Sequence, residues 1–116
     1  MKKIYVAIGM VVVVSGLAVR AAWTAEEVRT AAKLYAAKCA SCHAKDAKGN
    51  PAMAKAFKME PEKLNLLAEA SLKKTDAELA KITTDGSGKM PAYKGKLSDA
   101  DIKGLVGYIR SLAPKK

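Results

Sequence analysis

The 116-residue chain predicts a single all-α domain, with a longer helix near each end and two or three short helices between. Three observations carry this. Thr24 with Glu27, Thr75 with Glu78 and Ser98 with Asp101 are helix-start signatures, in which a hydroxyl and a carboxyl each satisfy a free backbone N–H of the first turn. Apolar residues recur at spacings of three and four after these starts, and no run with strand periodicity follows residue 22. The chain has no internal repeat and no low-complexity tract.

The start of the chain has the layout of an export signal. Lys2 and Lys3 precede an almost uninterrupted apolar run of 16 residues, Ile4 to Val19, and the small residues Ala21 and Ala22 follow. Cleavage after Ala21 fits Val19-Arg20-Ala21, with the Gly16-Leu17-Ala18 step as the alternative. The run is also long enough for an uncleaved anchor to be considered, although it is short of the roughly 20 residues of a full span. The expected division is therefore residues 1–21 as signal peptide or anchor and residues 22–116 as the domain. Those 95 residues make a small core, of the size that often needs a staple or a cofactor. Without Lys2, Lys3 and Arg20 the formal charge falls from +10 to +7. For an exported chain with only Arg29 and Arg110 as arginines beyond residue 21, this points to acidic protein partners rather than nucleic acid.

The first helix starts at Thr24 and carries Val28, Ala31, Ala32 and Tyr35 on one apolar face. It runs into Cys39-Ala-Ser-Cys-His43, which holds every Cys and His of the chain. Residues i, i+3 and i+4 share a helix face, so Cys39, Cys42 and His43 point the same way. Cys-x-x-Cys-His is the attachment motif of a c-type haem: each thiol adds to one vinyl group, and the histidine faces the iron. The competing readings are weaker. A structural zinc site wants four ligands, and this motif offers three. A thioredoxin-like dithiol belongs beside a β-α-β pattern, which is missing from the sequence. A Cys39–Cys42 disulfide would close too small a ring to stabilise much. One motif means one haem.

Residues 44 to 61 read as an irregular loop around the proximal side of the haem, through Gly49-Asn50-Pro51. The second ring nitrogen of His43 needs a partner to fix its tautomer, and the Pro51 carbonyl is the candidate, against a plain turn proline. Pro61 then opens a short helix with Leu64, Leu67 and Ala68 inward. Thr75 opens another, carrying Leu79 and Ile82 and ending at Asp85-Gly86. The following loop, Gly86 to Tyr93, sets Met90 between glycines and Pro91. A thioether there suits the sixth position of an iron, and His/Met ligation belongs to electron carriers. Met53 and Met59 are the competitors, either of which could be a core filler. Tyr93, which closes the loop, is counted with the cofactor-contacting residues. Ser98 caps the last helix, Leu97 staples onto Ile102, and Ile102, Leu105, Val106, Ile109 and Leu112 form its buried stripe.

In the order and spacing of these elements, residues 24 to 113 resemble a class I mono-haem cytochrome c of the small bacterial type, the cytochrome c6/c553/c551 group. The resemblance rests on Cys39 to His43 after an N-terminal helix, Lys89-Met90-Pro91-Ala92-Tyr93 as the distal loop, and the Leu97–Leu112 helix. It implies first and last helices crossing near right angles, with Ala31 and Tyr35 against Leu105 and Tyr108. The group more often has glycine where Ala31 stands, which would widen the crossing. Several relatives place a tryptophan in the distal loop near a haem propionate, whereas Trp23 lies elsewhere. The implied function is a periplasmic one-electron carrier, monomeric and not an enzyme. Its docking rim would be drawn from Lys38, Lys45, Lys48, Lys55, Lys89, Lys94 and Lys96. The alternatives are a membrane-tethered module of a respiratory complex and a five-coordinate gas-binding or peroxidatic haem protein, the latter requiring that Met90 not ligate.

Overall fold

The computed structural model describes residues 24–115, so the expected leader and Trp23 lie outside the described residues. Six α-helices and one 3-10 turn make the domain: α1 (Ala25–Lys38), α2 (Ala40–His43), α3 (Pro51–Ala56), the turn Pro61–Leu64, α4 (Glu69–Leu72), α5 (Asp76–Asp85) and α6 (Asp99–Leu112). All three expected capping boxes form, at Thr24, Thr75 and Ser98, each with both the hydroxyl and the carboxylate bonded to backbone N–H. Among the described residues there is no named strand, only the isolated bridges Ser87–Met90 and Lys94–Leu97. The described residues thus form the all-α domain that the sequence predicts.

α1 packs on α6, and α6 on α5. Tyr35 is 2% exposed and sits with Ala47 and Leu105, while its ring meets Tyr108 with centroids 5.4 Å apart and planes tilted by 54°. That tilted arrangement is a favourable aromatic geometry. Ala31, Ile102, Leu105 and Val106 are buried as the periodicity implies, with Gly104 beside them, whereas Ile109 and Leu112 of the same expected stripe are only partly buried. Val28 is not part of that face: it is 45% exposed, because the buried stripe of α1 begins one turn later, at Ala31.

One stretch also differs from the sequence expectation. Residues 44–61 are not all loop, since Asn50 accepts from the Ala52 N–H and Pro51 occupies the first turn of α3. Arg110, on α6, reaches across to the α4–α5 connection: Nε donates to Asp76 Oδ1 at 3.0 Å, Nη1 to the Leu72 carbonyl at 3.1 Å, and Nη2 to the Lys74 carbonyl. The guanidinium thus caps carbonyls that the end of a four-residue helix leaves free.

Candidate functional site

The helical ladder breaks at Cys39, whose φ of −117° and ψ of −35° end α1 and lead α2. Its carbonyl accepts from both Cys42 N (3.2 Å) and His43 N (2.9 Å), which winds the motif into one tight turn. The chain then reverses. Ala44 has φ of 63°, and the N–H groups of Gly49 and Asn50 return to the carbonyls of His43 and Cys42 at 2.8 and 2.9 Å. Asn50 Nδ2 also donates to the Ser41 carbonyl. From the core side, the Tyr35 hydroxyl donates to the Ala44 carbonyl at 2.7 Å. Burial raises the Tyr35 phenol well above its ordinary range, so it stays a donor.

His43 Nδ1 lies 2.8 Å from the Leu64 carbonyl. A carbonyl can only accept, so Nδ1 is the donor here, which leaves Nε2 as the ring nitrogen that can turn to a metal. Pro51 does not supply this contact. As the first-turn residue of α3 it is exposed, and its carbonyl is turned along the helix axis. Leu64 reaches His43 for two reasons. The Leu66 N–H is held by the Ala47 carbonyl at 2.8 Å, and Gly49, at φ +92°, has no side chain to obstruct it. A Cβ on Gly49 would stand 3.1 Å from Leu64 backbone and side-chain carbons and from the Pro61 oxygen. A main-chain acceptor 21 residues away leaves no mark on the sequence, so only the geometry finds it.

These elements enclose a cavity of about 420 Å³. Lys38, Cys39, Cys42 and His43 form one wall; Phe57, Met59, Lys63, Leu64 and Leu66 another; Ser71, Lys74, Leu79 and Ile82 a third; and Ser87 to Pro91 with Tyr93 the rest. Of the predicted site residues, Cys39, Cys42, His43, Met90 and Tyr93 all line this one cavity, while Pro51 does not. Met59 lines it too, but Met53 is not in its walls. No carboxylate is among the lining residues, whereas four lysines are.

The Met90 segment is built by close approach. The N–H of Ser87 and the N–H of Met90 each donate to the other residue's carbonyl (3.1 and 2.9 Å), and Gly86 turns into the loop at φ +76°. Two further bonds fasten the far side of the loop to α5, Tyr93 N to the Thr83 carbonyl and Lys94 N to the Thr84 carbonyl. Burial, then repulsion from Cys42, pushes the Cys39 thiol up to about 11 in the closed chain. Burial, then the two cysteines, likewise raises the Tyr93 phenol.

Residues 26–109 match the family described as cytochrome c oxidase, cbb3-type, subunit III. The chain belongs to the class I c-type cytochromes. Among relatives of this cytochrome, cytochrome c6 of Picosynechococcus sp. is 35% identical over 97% of this chain and 96% of its own length. Cytochrome c6 of Leptolyngbya boryana is 36% identical over 72% of this chain and 89% of its own. The cbb3-type cytochrome c oxidase subunit FixP of Bradyrhizobium sp. is 34% identical over 88% of this chain, which spans only 32% of that longer protein. The cytochrome carries one covalent haem c and transfers electrons. Its site fits that group: two sulfurs at the Cys-x-x-Cys spacing, an imidazole whose Nδ1 is held by the Leu64 carbonyl, apolar walls and cationic side chains share one cavity.

Proposed function

We propose that Cys39 and Cys42 form the two thioether links, that His43 Nε2 and Met90 Sδ are the axial ligands, and that the protein is an exported, monomeric electron carrier. The haem supplies one-electron chemistry at its iron. The chain sets the conditions for it. The Leu64 carbonyl fixes the His43 tautomer and makes the imidazole a better donor. Phe57, Leu66, Leu79 and Ile82 keep water out. Met90 offers a soft sulfur from a loop fastened at both ends. With side chains in both axial positions no substrate has access to the metal, which favours a carrier over an enzyme. The observation that carries this reading is the His43–Leu64 contact in a cavity that Met90 also lines.

The deciding experiment is the absorption spectrum of the oxidised protein. The weak red-edge band of a methionine–iron(III) bond should be present in the wild type and absent in Met90→Ala. Its survival in the variant would transfer the role to Met59, the other methionine of the cavity.

The resemblance to FixP supports a second reading, a membrane-tethered module of an oxidase. Among the described residues no helix is long and apolar enough to cross a membrane, and the apolar run Ile4 to Val19 is the tether that this second reading names. On the carrier reading, the protein comes from the soluble periplasmic fraction with Ala22 as its first residue. There it should react with an acidic redox partner at a rate that falls steeply with salt, as the Debye length shrinks from about 30 Å at 0.01 M to about 10 Å at 0.1 M. Recovery only with membranes, Lys2 and Lys3 retained, would establish the tethered module instead. A rate indifferent to salt would rule out a lysine docking rim built on Lys38, Lys89 and Lys94.

A further inference from the structure

Lys38 is the last residue of α1, and the break at Cys39 deprives its carbonyl of a helical partner. The Cys42 N–H, four residues on, goes to the Cys39 carbonyl instead. Among the described residues the one group that bonds the Lys38 carbonyl is the Tyr93 hydroxyl, at 2.9 Å and 55 positions away. Tyr93 is anchored independently at its other end, where its N–H donates to the Thr83 carbonyl at 3.1 Å and the Lys94 N–H to the Thr84 carbonyl at 3.0 Å. The Thr83 and Thr84 hydroxyls are in turn bonded within α5, to the carbonyls of Leu79 and Ala80. One side chain therefore spans from α5 to the end of the helix that presents Cys39. It does so three residues after Met90, and both Lys38 and Tyr93 line the cavity.

We propose that Tyr93 is a positioning residue whose hydroxyl latches the Met90 loop to the C-terminal end of α1. This holds the Met90 sulfur in place against competing ligands from solvent. The proposal rests on Met90 as the sixth ligand. Among the described residues no other hydrogen bond ties the loop to that side of the cavity. The Ser87–Met90 bonds are internal to the loop, and the bonds to Thr83 and Thr84 fasten it to α5. Gly88 and Gly95, both at positive φ with open space around them, give the loop little resistance of its own. Tyr93→Phe keeps the ring, removes this one hydrogen bond and leaves a helix-end carbonyl unpartnered.

The test is imidazole binding to the oxidised, haem-loaded protein, followed by the loss of the red-edge band. Tyr93→Phe should raise the apparent imidazole affinity about three- to tenfold, the range expected from one net hydrogen bond lost to the closed loop. Thr24→Ala removes a cap at the opposite end of α1 and should leave the affinity unchanged. Equal affinities in wild type and Tyr93→Phe, with the band still abolished by Met90→Ala, would overturn the latch while leaving Met90 as ligand. A comparable rise in Thr24→Ala would also overturn it, because the effect would then be general loosening. A band that survives Met90→Ala removes the ligand reading and the latch with it. Should Tyr93→Phe not accumulate, NMR of the reduced wild type decides: a slowly exchanging Tyr93 hydroxyl proton close to Lys38 supports the latch, and a rapidly exchanging one overturns it.

Discussion

Gly86 shows how much of the site depends on a missing side chain. A Cβ there would lie 2.8 Å from both the Met90 oxygen and the Ala92 nitrogen and 3.0 Å from the Pro91 carbonyl carbon, all of them backbone atoms with nowhere to go. Gly95 has the same φ of +76° and nothing within 4 Å, so the two positions share the backbone strain and differ in the collision. Gly95→Ala should lower stability by roughly 1 kcal/mol, the ordinary cost of an L-residue in left-handed backbone. Gly86→Ala should cost about 1–3 kcal/mol more and weaken the methionine–iron band. Chemical denaturation of the two variants compares them directly, and equal midpoints would show that the loop relaxes around the added methyl. At this scale the sequence is informative where a side chain is involved: Cys39, Cys42, His43 and Met90, named from residue type and spacing, all line one cavity. It is silent where the main chain does, as with the Leu64 carbonyl at His43, because any residue offers a carbonyl.

Among the elements, the legible ones are those whose ends are written in side chains. Thr24, Thr75 and Ser98 each begin the helix they announce, and Gly86 ends α5 with a φ of +76°. The same rules apply to Asn50-Pro51, a capping side chain followed by a first-turn proline, so the start of α3 is legible after all once Gly49 is not taken as proof of a loop. Val28 marks the limit of periodicity arguments: the pattern gives the angle of a face but not where along the helix the neighbouring element ends. Arg110 is the least legible. Its position in the last turn of α6 suits a helix dipole, yet its bonds go to Asp76 and to carbonyls at the end of α4, a choice set by packing of α6 against α5.

In the molecule as a whole, nine apolar residues make up the buried core of the described chain, and four of them are alanines: Ala31, Ala47, Ala54 and Ala68. An alanine withdraws about one methyl group from water, worth roughly 0.8 kcal/mol, against about 1.5–3 kcal/mol for a larger aliphatic side chain. Tyr35 is the one large side chain that is fully buried. Leu79 and Ile82, which would strengthen such a core, line the cavity instead, and Leu66 lines it while also packing against Tyr35, Ala47 and Leu105. Cofactor affinity in such a protein is folding free energy. The Cys39→Ser/Cys42→Ser chain, purified without haem, should therefore show little helical circular dichroism and no cooperative thermal transition; a sharp transition would mean that the polypeptide core suffices. The thinness of that core also sets an order of events. Once the chain has closed, the Cys39 thiol is half-buried and held protonated, a poor nucleophile. Attachment should therefore run faster on the open chain than on the closed one, so that in the finished protein chemistry comes first and architecture second.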